Sequence, residues 1–339
     1  MATMTDAPSS DLVDRSLTLM GTHIRILVGA PAVESAGSAE EAADRVEAFL
    51  NEYNEVMSRF RPDSELTKLN ADPREEVPAS ELMRSAVRAA LAAAEQSNGL
   101  VDPTLLDDLE DAGYREHWTE ERRLPLREAL SGERPQSAPA SPAEASRWRE
   151  IEVDDEAGVI RRPLGVRIDT GGTGKGHAAD LSGELLSGFT SWAVDCGGDV
   201  RIGGTAGLER EVQVVGAFED SQIETITVRD GAVATSGLSS RIWREQDGSS
   251  SHHLLDPATG RSAFSGLVAA TAIAPTAVEA ETLAKIALLQ GPSGARPTLA
   301  RYGGITVSED GSVDRIGRLE PAPRVKITLP TSIPSKGPQ

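Results

Sequence analysis

DTGGTGKGHAAD, residues 169–180, combines glycines, a lysine and two aspartates between a short apolar strand candidate, residues 166–168, and a helix candidate near residues 178–186. Glycines let the backbone approach a ligand closely and expose N–H groups to an anion, and Lys175 adds positive charge. The segment is not a Walker A loop, because Gly176 follows Lys175 where a magnesium-binding Ser or Thr is needed. Two interpretations stay open: an anion-binding loop, or a tight turn whose glycines serve geometry alone.

Helix and strand patterns surround this segment without a regular βαβ rhythm, which favours an α+β fold with mixed sheets and packed helices. The clearest helix spans residues 38–57 and begins with a capping box of Ser38 and Glu41. Alternation of apolar and polar residues predicts a half-buried strand over residues 23–28. Further helices are predicted at residues 80–96 and 276–289, the latter ending at Gly291, and further strands at residues 192–194, 212–215, 223–228 and 268–273.

The domain prediction is one folded unit over residues 17–320. We expect residues 1–16 to form a flexible polar leader and residues 321–339, with their prolines, to form a tail. Residues 131–146 are rich in Pro, Ser and Ala, which predicts a loop within the domain.

Composition excludes several classes of protein. The 339 residues include 53 acidic and 34 basic ones, a formal net charge of -19, which disfavours binding to nucleic acid or to anionic membrane surfaces. Cys196 is the sole cysteine, so an internal disulfide and a cysteine-rich metal site are impossible. No apolar run is long enough to span a membrane, and residues 1–16 lack the pattern of an export signal, so a cytoplasmic protein is expected.

A second polar cluster is SHHLLDPATG, residues 251–260. A histidine a few residues from an aspartate, here His253 and Asp256, is a candidate acid–base pair. His252 and His253 are adjacent, so on a strand they point to opposite faces and at most one of them faces a given site. A histidine that only satisfies loop hydrogen bonds is the alternative.

Taken in order, the motifs of this chain resemble those of the ApbE family, the FAD:protein FMN transferases. The match includes Asp169–Asp180 as Asp-x-Gly-Gly-x-x-Lys-Gly-x-x-x-Asp. The other matching segments are Met20-Gly21-Thr22, Ser58-Arg59-Phe60, Ser64-Glu65-Leu66 with Asn70, Val101-Asp102-Pro103-Thr104, Gly197-Gly198-Asp199, Thr235-Ser236-Gly237 and His253-Leu254-Leu255-Asp256-Pro257.

The resemblance implies an FAD-binding cleft and a reaction. Family members use Mg²⁺ to cleave the pyrophosphate of FAD, place FMN on a Thr or Ser hydroxyl of an acceptor protein, and release AMP. By position, the expected FAD-binding residues are Met20, Phe60, Leu100, Val101, Asp102, Asp169, Lys175 and Leu255. His253 would activate the acceptor hydroxyl, Asp256 would hold the loop or the base, and the carbonyl of Gly172 would be a metal ligand.

The chain departs from the family pattern where two further metal ligands are expected. The family's Ala-Asp-x-x-x-Thr reads here as Ala280-Glu281-Thr282-Leu283-Ala284-Lys285. Glu281 can still be an oxygen ligand, but Lys285 cannot bind a cation while it is protonated. We hypothesise that the Lys285 ammonium partly replaces the charge of the metal. An i, i+4 ion pair in a protein that has lost metal binding is the alternative.

Three other functions stay open at this stage. The first is an FAD-binding protein without transferase activity, and the second is an FAD pyrophosphatase that gives FMN to water. The third, a metal-dependent hydrolase built on His252 and His253, has little support because the chain has five histidines and no HExxH motif.

Overall fold

The computed structural model describes residues 1–4, 12–119, 122–132, 134–219, 221–245 and 247–319. The predicted tail, residues 321–339, lies outside these residues. The helices are α1 Ala39–Met57, α2 Glu65–Ala71, α3 Glu81–Gln96, α4 Leu106–Asp111, α5 Leu126–Ser131, α6 Gly174–Leu185 and α7 Ala277–Leu299, with short 3-10 turns at Glu34–Ala36 and Arg147–Glu150. The strands are β1 Ala2–Met4, β2 Val13–Leu19, β3 Thr22–Val28, β4 Glu76–Pro78, β5 Glu152–Asp154, β6 Val159–Arg161, β7 Trp192–Cys196, β8 Asp199–Gly203, β9 Arg210–Val215, β10 Gln222–Val228, β11 Gly231–Gly237, β12 Ile242–Arg244, β13 Ser250–His252, β14 Leu255–Asp256, β15 Arg261–Ser262, β16 Leu267–Ala274, β17 Gly304–Ser308 and β18 Val313–Ile316.

An antiparallel sheet with the strand order β18-β17-β16-β11-β8-β7-β3-β2 forms the centre of the fold. Helices α1, α6 and α7 pack on it side by side. A smaller sheet, β1-β9-β10, shares a separate apolar core with the central sheet. This arrangement confirms the α+β prediction.

Alternation along the central strands explains why the sheet is covered on both faces. In β3, Ile24, Ile26 and Val28 belong to the core beneath the helices, whereas Leu27 belongs to the core shared with the small sheet. Successive side chains of a strand point to opposite faces of the sheet. A strand with apolar residues at both its odd and its even positions is therefore buried on both faces. The buried β16, Leu267–Ala274, follows the same rule.

The long helices begin and end close to their predicted bounds. The Ser38–Glu41 capping box is present at the start of α1, with both reciprocal hydrogen bonds made. Thr276 caps α7 by accepting the N–H of Glu279. The helical geometry of α7 is interrupted at Gly291, where φ is +70° and Pro292 follows, and helix then continues to Leu299. The prediction of a helix end at Gly291 therefore found the break and missed the continuation.

Two predictions are wrong. The expected strand at residues 166–168 does not form, because the side-chain amide of Asn70 bonds both the N–H and the carbonyl of Ile168, each at 2.7 Å, where a neighbouring strand would do so. The expected flexible leader is not found in its described part, since Ala2–Met4 pairs with β9 and Val13–Leu19 pairs with β3. Short segments such as these gain their order from a sheet edge, which their own polar composition does not reveal.

The Pro- and Ser-rich segment, residues 131–146, contains no strand and little helix in its described part, as predicted. It is nevertheless tied to the domain by backbone hydrogen bonds from Ala138 to Phe264 at 2.8 Å and from Ala140 to Leu289 at 2.9 Å. Among the described residues, no helix has both the length and the apolar character needed to cross a membrane.

Candidate active site

Three of the sequence motifs, those that contain Val101, Asp169 and His253, meet in one cleft. Its walls come from α3 and the loop after it, from α4, from the loop before α6, from the loop around His253, and from the middle of α7. The residues that line it are Ala90, Leu100, Val101, Asp102, Pro103, Leu105, Leu109, Asp169, Gly172, Thr173, His253, Leu254, Leu255, Lys285 and Leu289. Of the predicted site residues, the lining therefore includes Leu100, Val101, Asp102, Asp169, Gly172, His253, Leu255 and Lys285.

Backbone hydrogen bonding holds the glycine-rich loop that starts at Asp169 against the segment that contains Pro103. The N–H of Asp169 donates to the carbonyl of Pro103 at 2.8 Å, and the Asp169 carboxylate accepts the N–H of Gly171 at 2.9 Å. A Cβ on Gly172 would lie 3.5 Å from Val101. These contacts fix one wall of the cleft to the other and leave the Asp169–Thr173 backbone beside it.

The N-terminus of α7 is fixed against α6. The Asp180 carboxylate accepts the backbone N–H groups of Ala277 at 2.8 Å and Val278 at 3.0 Å. A Cβ on Gly176 would lie 2.7 Å from the backbone of Ala277, so only glycine permits this approach. The last aspartate of the sequence motif therefore positions the helix that carries Glu281 and Lys285.

Four charged side chains form a buried network at the end of the cleft, which we call the lysine–carboxylate network: Lys175, Asp199, Glu281 and Lys285. Lys285 Nζ donates to Glu281 Oε1 at 2.9 Å, and Lys175 Nζ lies 3.8 Å from the same oxygen and bonds Asp199. Glu281 Oε2 accepts the N–H of Gly176 at 3.0 Å. Both oxygens of Glu281 are therefore engaged.

Mutual attraction keeps Lys175 and Glu281 charged in spite of their burial. Burial opposes the charge of Lys175, but the carboxylates of Asp199 and Glu281 outweigh it and raise the pKa of Lys175. Burial likewise favours neutral Glu281, but Lys285 and Lys175 outweigh it and lower the pKa of Glu281. At Asp199 burial dominates and raises the pKa, and its Oδ1 has no hydrogen-bond partner among the described residues.

His253 enters the cleft as a neutral imidazole. Its Nδ1 lies 3.3 Å from the carbonyl oxygen of Arg241, which assigns the proton to Nδ1 and leaves the lone pair on Nε2. Burial, together with the charge of Arg241, holds the pKa of His253 well below its usual range. This tautomer can accept a proton at Nε2.

Asp256 lies outside the cleft lining and organises the loop next to it. Its Oδ1 accepts the N–H groups of Ser141 at 2.9 Å and Ala258 at 3.2 Å. Since Ser141 belongs to the Pro- and Ser-rich segment, this carboxylate joins that segment to the His253 loop. Of the two roles predicted for Asp256, the contacts agree with holding the loop.

Phe60 and Met20 are not among the residues that line the cleft. Phe60 packs in an aromatic cluster with Tyr114, Trp118 and Trp243, and the same cluster contains Leu255, which lines the cleft. Met20 stands in the β2–β3 turn with a φ of +54°, and its N–H donates to Asn54 at 3.3 Å. Sequence reasoning missed Arg241, whose backbone carbonyl carries no sequence signature, and Leu289, which its position one helical turn after Lys285 could have revealed.

The residues at the expected metal position do not fit a divalent cation. The ammonium of Lys285 stands where a ligand oxygen is needed. Lys285 and Lys175 both form ion pairs with Glu281, the other expected side-chain ligand. No group of three or more His, Cys, Asp or Glu side chains in the described part of the chain is arranged to hold a metal ion. His252 is buried edge-on against Phe264 and does not face the cleft with His253, which removes the basis of the two-histidine hydrolase.

Comparisons with known proteins agree with the motifs. The model of the ApbE family matches residues 20–307. The FAD:protein FMN transferase of Escherichia coli K12 is 25% identical over 293 residues, which cover 84% of this chain and 80% of that protein. The protein of the same name from Salmonella typhimurium is 26% identical over 312 residues, covering 89% of this chain and 84% of its own.

Solved structures share the fold. The ApbE protein of Thermotoga maritima has a TM-score of 0.73 and 28% identity, covering 90% of this chain and 97% of its own. The flavin transferase ApbE of Vibrio cholerae has a TM-score of 0.68 at 20% identity, covering 90% of this chain and 96% of its own, and shows likeness of fold alone.

Proposed function

This chain belongs to the ApbE family, and from that premise we propose that it is an FAD:protein FMN transferase, which moves FMN from FAD to a Thr or Ser hydroxyl of an acceptor protein and releases AMP. The observation that carries the proposal is the convergence of three family motifs on one cleft, represented there by Val101, Asp169 and His253. The relatives named FAD:protein FMN transferase match over most of their length and of this chain.

The reaction exchanges one P–O bond for another. The acceptor hydroxyl oxygen attacks the phosphorus on the FMN side of the pyrophosphate, the bond from that phosphorus to the bridging oxygen breaks, and AMP leaves with that oxygen. Nε2 of His253 takes the hydroxyl proton. Such a transfer needs little covalent chemistry from the protein, so positioning and charge stabilisation account for most of the catalysis.

The proposed FAD site combines apolar walls with a few polar groups. Leu100, Val101 and Leu255 offer apolar surface to the rings of FAD, and Asp102 and Asp169 offer acceptors for its N–H and O–H groups. Phe60 belongs to the same apolar cluster as Leu255. The other two expected FAD-binding residues lie outside the lining: Met20 stands in the β2–β3 turn, and Lys175 contacts Glu281.

Mg²⁺ belongs to the reaction of the family, and Gly172, whose carbonyl is an expected metal ligand, lines the cleft. Since Glu281 is committed to Lys285, Lys175 and Gly176, no step of the proposed reaction passes through a metal. The cytoplasmic location stays a prediction from the sequence.

The test uses the purified chain, FAD with Mg²⁺, and an acceptor domain that carries a flavinylation-type Thr. A denaturing gel read by flavin fluorescence detects the transfer, and chromatography detects AMP. We expect a fluorescent acceptor band, and we expect one AMP to be released for each acceptor molecule that carries FMN. AMP and FMN without a band would indicate a pyrophosphatase, and bound FAD without AMP would indicate a flavin-binding protein; either result contradicts the proposal.

A further inference from the structure

We propose that the ammonium of Lys285 supplies the positive charge at the FAD pyrophosphate in this chain, so that FMN transfer does not require a divalent cation. This inference rests on the proposed function. The residues of the lysine–carboxylate network do not fit a metal site, because two ammonium groups contact the carboxylate that would bind the metal.

Lys285 has free hydrogen-bonding capacity at the right place. An ammonium has three donors, and within the described residues the structure gives Lys285 one acceptor, Glu281 Oε1 at 2.9 Å. Its side chain lines the cleft while its exposed fraction is only 12%. Two N–H groups therefore remain for an anion, in a poorly solvated position where charge-assisted hydrogen bonds are strong.

The network fixes Lys285 and balances its charge. Glu281, which is 1% exposed, is held by the N–H of Gly176 and by Lys175, so it anchors the ammonium in one place. The two lysines offset the charges of Asp199 and Glu281 when both carboxylates are ionised. A divalent cation entering here would meet two ammonium groups, whereas a pyrophosphate would meet donors.

The balance of charges in the network predicts the effect of removing the Lys285 ammonium. Lys285→Thr leaves Asp199 and Glu281 opposite a single lysine, gives the network a net negative charge, and restores a hydroxyl at the position that ligates in the family pattern. This variant should repel FAD unless a cation compensates. Lys285→Arg keeps the charge and should not need one.

The experiment measures FAD affinity by flavin fluorescence and AMP release with an acceptor, each in EDTA and in Mg²⁺. For the unaltered chain we expect both values to agree within about threefold between the two conditions. For Lys285→Thr we expect FAD to bind about 10- to 100-fold more weakly in EDTA, the range of a lost hydrogen bond to a charged group, with recovery in Mg²⁺. Mn²⁺ should raise the melting temperature of Lys285→Thr and leave that of the unaltered chain unchanged.

Lys68→Thr is the matched control, because Lys68 is exposed on α2 and the substitution makes the same change of charge away from the cleft. It should behave as the unaltered chain does. The inference is overturned if EDTA abolishes the FAD affinity or AMP release of the unaltered chain, or if Lys285→Thr binds FAD equally well in EDTA. Absence of AMP in both conditions would overturn the proposed function instead, and the affinity measurement would still decide on Lys285.

Discussion

The carboxylate of Asp180 on α6 accepts the backbone N–H of Ala277, the first residue of α7, at 2.8 Å. Its second oxygen accepts the N–H of Val278, so one side chain satisfies two donors that the helix itself leaves without partners. A negative charge at a helix N-terminus is also favoured by the helix dipole. Through this contact the motif that begins at Asp169 sets the position of Glu281 and Lys285, one and two turns further along α7.

Asp180→Ala should lower the free energy of unfolding by about 3 kcal/mol, since it leaves the N–H groups of Ala277 and Val278 without their acceptor and removes one carboxylate from Arg201. Urea denaturation measures this. Asp230→Ala is the control, because Asp230 is the other carboxylate paired with Arg201 but is more exposed. We expect it to cost less than about 1 kcal/mol. Equal losses in the two variants would contradict the role assigned to Asp180.

The close approach of α6 and α7 gives a second stability prediction. Gly176→Ala should lower the free energy of unfolding by about 1–3 kcal/mol, because the new methyl group would meet the backbone of Ala277 at 2.7 Å. Gly174→Ala, two residues earlier in the same helix, would meet only the Tyr53 hydroxyl at 3.6 Å and should be neutral within about 0.5 kcal/mol. Thermal melts of the two variants compare their losses of stability. Similar losses for Gly176→Ala and Gly174→Ala would contradict the close contact between α6 and α7.

Local rules predicted those parts of the fold that are decided within one element. Ser38 and Glu41 mark the start of α1 because a capping box is completed by residues three apart. Ile168 shows where such rules fail: its partner is Asn70, 98 residues away, and an amide side chain in place of a strand has no local pattern. The apolar stretch around it therefore resembles a strand in sequence and is not one.

The candidate site divides in the same way. Asp169, Gly172 and His253 were predicted as site residues from the family motifs, and all three line the cleft. Sequence spacing also paired Glu281 with Lys285, four residues apart on one helix. It could not show that Lys175 and Asp199 complete the network, since β8 and α6 meet only through the topology of the sheet.

Replacing the proposed base tests the reaction without disturbing FAD. His253→Gln should reduce the rate of FMN transfer by about 10²- to 10³-fold, because a glutamine cannot accept the hydroxyl proton. FAD affinity should change less than about threefold. Single-turnover transfer and flavin titration separate the two quantities, and His23→Gln, at an exposed position, is the control. A transfer rate within threefold of the unaltered chain would exclude His253 as the base.

His177 gives a pH prediction that is independent of the reaction. It is buried between the Tyr53 hydroxyl, 3.1 Å from Nδ1, and the Ser85 hydroxyl, 3.0 Å from Nε2. Burial lowers the pKa of His177 to about 4 from an ordinary value of 6.5. Between these values the unfolded chain binds a proton that the folded chain does not, so the contribution of His177 to stability is present above pH 6.5 and is lost as the pH falls toward 4.

His177→Gln removes this proton linkage and leaves an amide that can bond both hydroxyls. From pH 6.5 to pH 5 the unaltered chain should therefore lose about 1.5 kcal/mol more unfolding free energy than His177→Gln, because the full slope of about 1.4 kcal/mol per pH unit is reached only below pH 6.5. Urea denaturation at the two pH values measures the difference. The pKa values of Asp180 and Asp195, raised by burial to about 6, affect both proteins alike and cancel in the comparison. Parallel pH dependences would mean that His177 takes up its proton at the same pH in the folded and the unfolded chain, which would contradict the lowered pKa assigned to its burial.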